Sequence, residues 1–280
     1  MTVSLREIVA YLNEYLRVRE VADEKDAVNG LQVENAGEVD SITVSAEGAD
    51  ADYRAADVSF DVAGAEFTVI APACELRVRT GLPGHFNVAN ALAALASAAA
   101  LGVEPATAAR ALEGAGRVPG RFEPIDEGQP FAVLVDYAHT PDSLENVLLA
   151  ARRLTEGRLI SVFGAGGDRD RDKRPKMGRV AAELSDHAVV TSDNPRSEDP
   201  DAIITEILAG IDADRTVEVE PDRRTAIAHA LERAASGDTV VIAGKGHEQG
   251  QEFEGGRKVP FDDRDVAREE LRRLAAPAAS

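Results

Sequence analysis

The stretch AVVTSDNPR, residues 188–196, joins an apolar run to a polar turn. Its first four residues have the length and apolar composition of a buried β-strand. The turn then presents an amide, Asn194, beside a guanidinium, Arg196, and Pro195 stiffens the backbone between them. Because a guanidinium is a planar multiple donor for carboxylates, this turn predicts a binding site for a small zwitterion at the carboxyl end of a strand.

Three other segments have the same form, in which an apolar run is followed by a polar loop. The loops are VDYAHTPD at 135–142, GAGGDR at 164–169 and AGKGHE at 243–248. In an open parallel sheet, ligands bind in the crevice outside the carboxyl ends of the strands. We therefore expect the four loops to converge on one site.

The carboxyl-terminal part, residues 119–280, alternates strand and helix patterns, which is typical of a doubly wound parallel sheet in the α/β class. The predicted strands are 131–135, 159–163, 188–191, 216–219 and 239–242. The predicted helices begin after Pro141, Pro175, Pro200, Pro221 and Asp262.

The preceding part, residues 45–118, has short strand patterns followed by two alanine-rich helix patterns. The predicted strands are 67–70 and 76–79, and the predicted helices are 87–101 and 106–112. Glycine and proline between 114 and 120 mark the boundary with the carboxyl-terminal part.

The four loops, together with GHFNVAN at 84–90 and GRFE at 120–123, resemble the Mur ligase family, and within it the MurE type. The resemblance runs from about Asp50 to Arg268. It implies a Rossmann-like carboxyl-terminal domain, preceded by a remnant of the family's central ATP-binding domain. It also implies an ATP-dependent amide ligase that adds the third amino acid to the peptidoglycan precursor.

The resemblance further implies that the third amino acid is meso-diaminopimelate, which in this family accompanies the Asp-Asn-Pro-Arg form of the loop. Its two carboxylates and two ammonium groups call for guanidinium and amide donors on one side and a carboxylate acceptor on the other. By motif, the residues expected to contact it are Arg169, Asn194, Arg196, Gly244 and Glu248, with Asp193 and Pro195 shaping the loop.

The resemblance also assigns residues to ATP, which would act with magnesium. Asn90, Arg121 and Asp136 match nucleotide-binding positions, and Arg121, Asp136 and His139 are the expected catalytic residues. Simpler readings remain open, because Asn90 could be a helix cap, Asp136 a turn residue and His139 a lone surface histidine. No metal-ligand set is predicted within the chain.

One feature of the family has no counterpart in this sequence, the glycine-rich phosphate loop that ends in Gly-Lys-Thr or Gly-Lys-Ser. The Gly-Lys pair of this sequence, Gly244-Lys245, is followed by Gly246 where that loop would have threonine or serine. One hypothesis is therefore a truncated or split ligase that acts with a partner chain. A second is a non-catalytic module that binds diaminopimelate or a muropeptide. A third hypothesis is an oxidoreductase in which Gly164-Ala165-Gly166-Gly167 is a dinucleotide-binding loop. It is the weakest of the three, because Arg169 stands where the last glycine of that loop should be.

The first segment, residues 1–44, is expected to have a different origin. SLRE at 4–7 is a capping box that begins an amphipathic helix. VNGLQVE at 28–34 resembles the start of the Nif-three-like dimetal proteins, but no histidine precedes His85 to supply metal ligands.

Composition narrows the range of partners. The formal net charge of −19 argues against nucleic acid and anionic membranes. A single cysteine, Cys74, and the lack of a signal peptide or membrane-spanning pattern favour a cytoplasmic location.

The sign of the charge reverses locally in DRDRDKRPK at 168–176, which has five basic and three acidic residues. This run predicts a site for an anionic substrate.

Overall fold

The computed structural model describes residues 44–45, 51–72, 74–215 and 217–276. The predicted amino-terminal helix and the segment at 28–34 lie outside these ranges. The described residues form two units, each built from one main sheet and the helices that cover it. None of the helices in these ranges has the length and apolar character needed to cross a membrane.

The first unit is a four-stranded sheet with two helices. Its elements are β1 (Val44–Ser45), β2 (Tyr53–Asp61), β3 (Gly64–Ala71), β4 (Cys74–Thr80), α1 (His85–Ala100) and α2 (Pro105–Glu113). The strands lie in chain order; β1 is parallel to β2, and the other pairs are antiparallel. The core between the sheet and α1 contains Phe67, Val78 and Leu92.

The sequence predicted four of these elements and missed β2. β3, β4, α1 and α2 are confirmed within about three residues at each end. In β2 the pairing register shifts between Ala56 and Ser59, and Asp57 has a φ of 50°. Such a bulge moves the apolar face from Ala55 to Val58, so the alternation that identifies a strand is broken in the middle.

The second unit contains the remaining elements. Its strands are β5 (Glu123–Pro124), β6 (Ala132–Asp136), β7 (Leu159–Phe163), β8 (His187–Val190), β9 (Glu218–Val219), β10 (Thr239–Ala243), β11 (Gly250–Phe253) and β12 (Arg257–Pro260). Its helices are α3 (Pro141–Arg152), α4 (Lys173–Leu184), α5 (Pro200–Leu208), α6 (Arg223–Arg233) and α7 (Asp263–Ala275).

The main sheet of this unit has the strand order β5-β6-β10-β7-β8-β9. All of these strands except β5 are parallel to one another. Helices α3, α4 and α5 pack on one face, and α6 and α7 pack on the other. Every residue of β7 and β10 is buried, as expected for strands covered on both faces. The predicted doubly wound sheet is therefore confirmed, with β10 inserted between β6 and β7.

Two features of this unit were not predicted. β5 is a two-residue antiparallel edge strand, and β11 and β12 form a separate antiparallel hairpin beside the main sheet. The hairpin sequences are GQEF and RKVP, which lack the apolar alternation of a half-buried strand. Helix α4 also begins at Lys173, before the predicted start at Pro175.

A buried ion pair connects the helices of one face with the carboxyl ends of two strands. The Arg223 guanidinium donates to both carboxylate oxygens of Asp263, at 2.8 and 2.7 Å, and neither side chain is exposed. It also donates to the carbonyl of Ser192, two residues after β8, and to the carbonyl of Ala243, the last residue of β10. This pair therefore fixes the backbone from which two of the four loops begin.

Replacing Asp263 with Ala leaves the Arg223 guanidinium buried without its carboxylate. We expect Asp263→Ala to lower the free energy of unfolding by about 3–5 kcal/mol, measured by urea denaturation. The control is Glu269→Ala on the same helix, whose pair with Arg224 is about half exposed and should cost less than about 1 kcal/mol. Equal losses for the two variants would contradict the role assigned to the buried pair.

Candidate functional site

The four polar loops meet at the carboxyl edge of the main sheet, as the sequence predicted. The loop after β10 contacts the loop after β6 through Gly244 N, which donates to the carbonyl of Asp136 at 3.0 Å. The loop after β7 contacts the loop after β8 through Gly167 N, which donates to the carbonyl of Asn194 at 2.9 Å. The loops are therefore joined by their main chains before any side chain is considered.

Lys245 links two of these loops through a fully buried ammonium group. Its Nζ donates to Asn194 Oδ1 at 2.9 Å and to Glu248 Oε2 at 3.1 Å. Asn194 Nδ2 in turn donates to Glu248 Oε2 at 2.9 Å. The amide and the carboxylate are thus held side by side, with the orientation of each fixed by the same cation.

Glu248 is a carboxylate kept ionised inside this network. Burial alone would raise its pKa, but the hydrogen bond from Asn194 and the nearby charge of Lys245 outweigh burial and hold the pKa below its usual range. At neutral pH the side chain is therefore anionic and half-buried. It can accept from an ammonium group that enters from the solvent side.

Arg196 is held between the loop after β7 and the hairpin. Its φ is 51°, and its backbone N donates to the carbonyl of Glu252. The guanidinium donates from Nη1 to the carbonyl of Gly167 at 2.7 Å and from Nε to Glu252 Oε2 at 3.1 Å. Two of its five N–H groups are therefore used to position it, and three remain for a ligand.

A cavity of about 370 Å³ lies between the loop after β8, the loop after β10 and the hairpin. This volume is in the range of small-molecule sites. Its lining contains positively charged hydrogen-bond donors and negatively charged acceptors, both of which a zwitterion requires. The lining residues are Asn194, Arg196, His247, Glu248, Gln249, Gly250, Glu252 and Lys258.

Three more predicted residues form the wall behind the cavity. Gly244 has a φ of 122°, and a Cβ there would lie 2.7 Å from Asp193 Oδ2, so a side chain does not fit. Asp193 is itself buried, and its carbonyl accepts from Gln251 Nε2 at 2.7 Å. None of Gly244, Asp193 and Pro195 lines the cavity. The predicted contact of Gly244 with the ligand, and the loop-shaping role of Asp193 and Pro195, stay predictions.

Arg169 lies next to the cavity without lining it. Its side chain is exposed, and Nη1 donates to the neighbouring carbonyl of Asp168. A Cβ added at Gly166 would lie 3.0 Å from Arg196 Nη1 and 3.9 Å from Arg169 Cγ, so the two arginines flank the same glycine. The prediction that Arg169 contacts the substrate is neither supported nor excluded by this position and stays a prediction.

Asp136 organises the loop after β6. Its Oδ2 accepts from Phe122 N at 2.7 Å and its Oδ1 from Ala138 N at 2.8 Å. Burial raises its pKa, although these two hydrogen bonds and nearby Arg121 act in the opposite direction. Both oxygens are thus engaged by the backbone, so the geometry favours an orienting role, and direct binding of a nucleotide stays a prediction.

Arg121 and His139 are brought together by an aromatic ring. The Arg121 guanidinium lies 4.7 Å from the centre of the Tyr137 ring, and the centres of the Tyr137 and His139 rings are 4.7 Å apart. Arg121 is exposed and forms no ion pair with any residue in the described ranges. An available cation beside an aromatic face suits a ligand that carries phosphates and a planar base, so these residues fit a nucleotide.

Asn90 lies in α1, away from that group. The helix begins at His85 with Gly84 at its N-cap, so Asn90 is not a cap, and that reading is wrong. Its exposed side chain donates to Asn87 Oδ1 at 3.4 Å. The first helical turn nevertheless approaches the second unit, because the rings of Phe86 and Phe122 meet edge to face. A nucleotide role for Asn90 stays a prediction.

The sequence missed three residues that build the cavity. They are Lys245, Gln251, whose side chain binds Ser192 Oγ and the Asp193 carbonyl, and Glu252, which holds Arg196. In the sequence, Lys245 matches only the Gly-Lys part of a phosphate loop. Lys245 lies between two glycines, two residues after the end of a buried strand, and this position is the sequence feature that indicates a buried cation.

The basic run at 168–176 is only partly available to an anion. Arg174 is fully buried and binds Glu198 and Glu206, and Arg171 also binds Glu206. The prediction of an anion site is therefore wrong for these two arginines. Arg174 instead braces the loop after β7, because Nη2 donates to the carbonyl of Gly166.

These features define a class of protein, a doubly wound α/β sheet with a zwitterion-sized cavity and an arginine–aromatic group at its strand ends. The profile described as Mur ligase, glutamate ligase domain matches residues 120–246. The profile described as Mur ligase middle domain matches residues 6–98. The chain belongs to the Mur ligase family. The middle-domain match overlaps residues 1–44, and a different origin for that segment stays a prediction.

Similar proteins cover the chain well but extend beyond it. A protein from Streptomyces avermitilis named UDP-N-acetylmuramoyl-L-alanyl-D-glutamate--2,6-diaminopimelate ligase is 52% identical over 246 residues, 85% of this chain and 48% of that protein. One of the same name from Synechocystis is 45% identical over 93% of this chain and 52% of its own length. A solved structure of that name has a TM-score of 0.62 and 38% identity, covering 87% of this chain and 50% of that one. The chain thus spans about half the length of these relatives.

The Arg174 cluster predicts a defined pH dependence. Arg174 lowers the pKa of Glu198 from 4.5 to about 2, so this pair stabilises the fold fully above pH 4.5 and loses its effect as the pH falls toward 2. We expect Glu198→Gln to lower the free energy of unfolding at pH 7 by about 1.5–3 kcal/mol. The deficit should shrink below pH 4.5, as measured by urea denaturation between pH 3 and 7.

The control is Glu183→Gln, an exposed residue of α4 that should leave stability unchanged across this range. A deficit for Glu198→Gln that stays constant from pH 7 to pH 3 would show that the pairing with Arg174 is not its cause.

Proposed function

We propose that this chain supplies the amino-acid site of an ATP-dependent amide ligase that adds meso-diaminopimelate to UDP-N-acetylmuramoyl-L-alanyl-D-glutamate. The observation that carries the proposal is the cavity in which Asn194, Arg196 and Glu248 stand together. Relatives at 45–52% identity bear the name of that reaction, which supports the choice of amino acid.

The cavity suits diaminopimelate by charge. The anionic Glu248 accepts from an ammonium group of the ligand, while Asn194 and Arg196 donate to a carboxylate. Gly244 lets the backbone after β10 come close, since any side chain there would collide with Asp193. Arg169, which lies near Arg196 at Gly166, would add positive charge beside the cavity.

The nucleotide would lie against the group formed by Arg121, Asp136 and His139, with Asn90 on the neighbouring helix. When bound with magnesium, ATP would supply the phosphoryl group that activates the acceptor carboxylate. Arg121 is the residue of this chain suited to phosphate charge, and Asp136 orients the loop that carries His139. No residue of this chain is proposed as a magnesium ligand.

The grip on the ATP phosphates is assigned to residues outside these 280, because the sequence has no Gly-Lys-Thr or Gly-Lys-Ser loop. A partner chain is one possible source. The substrates are a nucleotide and a nucleotide-linked precursor, so the proposed place of action is the cytoplasm. A second candidate function is binding of diaminopimelate or a muropeptide without turnover, favoured by a cavity that lies wholly within this chain.

The proposal predicts that the chain prefers meso-diaminopimelate to lysine, which lacks the carboxylate at the distal end. We expect Arg196→Ala to reduce this preference, because lysine has no distal carboxylate for that guanidinium. Glu248→Gln should weaken both ligands about tenfold or more, since each loses an ammonium contact worth roughly 1.5–3 kcal/mol. Titration calorimetry on the full chain measures the six affinities, for two ligands with the wild type and each of the two variants.

The matched control is Arg179→Ala. Arg179 is an exposed residue of α4 that does not line the cavity, so this variant should bind both ligands as the wild type does. Equal affinity of the wild type for the two ligands, or a preference that Arg196→Ala leaves unchanged, would contradict the proposed substrate.

A further inference from the structure

Lys258 is a cavity residue that none of the family motifs includes. It lies in β12 directly opposite Glu252 of β11, so the two side chains share one face of the hairpin. A Cβ at Gly250 would be 3.5 Å from Lys258 Cγ and 3.6 Å from Cδ. The Lys258 side chain therefore lies over Gly250, and its stem is positioned along the cavity wall.

The charges that line the cavity are paired, with one exception. Arg196 pairs with Glu252, and Glu248 pairs with Lys245 behind it. Lys258 forms no ion pair with any residue that the structure describes, although it borders the same cavity. The Lys258 ammonium is thus not taken up in an ion pair.

Arg196 needs such a neighbour in order to bind a carboxylate well. Its guanidinium already holds the Glu252 carboxylate, so a ligand carboxylate placed there would meet a like charge within a few ångströms. A second cation on the same side offsets this repulsion. Lys258 lies opposite Glu252 in the hairpin and is therefore placed to supply this second cation.

We propose that Lys258 is a specificity-determining residue, whose ammonium binds the distal carboxylate that distinguishes diaminopimelate from lysine. This inference rests on the proposed function and deepens it. Arg196 and Lys258 then form a two-cation site that Glu252 alone only partly neutralises. Lysine would leave this excess positive charge without a partner and would place a second ammonium near it.

The test compares Lys258→Gln, Lys258→Arg and Arg257→Gln in the full chain. Arg257 is the matched control, because it is an adjacent basic residue whose side chain lies over Phe253 on the other face of the hairpin. Titration calorimetry with meso-diaminopimelate and with lysine gives the affinities, and urea denaturation checks that each variant is folded.

Lys258→Gln should weaken diaminopimelate by about threefold to tenfold, the effect of one solvent-accessible charged contact, and leave lysine within about twofold. Lys258→Arg and Arg257→Gln should both resemble the wild type. Unchanged diaminopimelate affinity in Lys258→Gln, or an equal loss for lysine, overturns this inference while the wild-type preference still supports the proposed function. A wild type with no preference overturns the proposed function itself, and this inference with it.

Discussion

The buried ammonium of Lys245 is the interaction on which the candidate site depends. A cation removed from water is stable only if its partners stay in place, because loss of one partner costs about 3–5 kcal/mol. Here the partners are Asn194 from the loop after β8 and Glu248 from its own loop. The penalty for separating them therefore keeps the amide and the carboxylate at a fixed distance. A ligand that binds them does not have to order them first.

The scaffold beneath this network explains why the loops reach each other. β10 enters the sheet between β6 and β7, so the loop that carries Lys245 emerges in the middle of the carboxyl edge. Glycine permits the close contacts, because a Cβ at Gly120 would lie 2.2 Å from the carbonyl carbon of Gly246. The Arg223–Asp263 pair fixes the strand ends from behind. The site is thus a consequence of the strand order and of backbone packing, to which the side chains add charge.

Much of this could be predicted from the sequence, and the remainder has physical reasons for being hidden. Strands such as β7 and β10 are buried on both faces and read as continuous apolar runs, which made the doubly wound sheet predictable. The hairpin β11–β12 is held by hydrogen bonds to Asn194 and Arg196 instead of by apolar burial, so no hydrophobic pattern marks it. The same holds for Lys245, because a sequence does not show whether a lysine is exposed or enclosed. The motif residues Asn194, Arg196 and Glu248 were predicted together and lie together, whereas Asn90 was grouped with Arg121 and lies on a separate helix.

The most direct test of this account is a crystal structure of the chain with meso-diaminopimelate. We expect the ligand to lie between the loop after β8, the loop after β10 and the hairpin. One ammonium group should be within hydrogen-bonding distance of Glu248, and one carboxylate should be within that distance of Arg196 and Lys258. Lys245 should remain bound to Asn194 and Glu248. A ligand bound elsewhere on the chain, or one bound in the cavity with its carboxylates turned away from Arg196, would contradict the account.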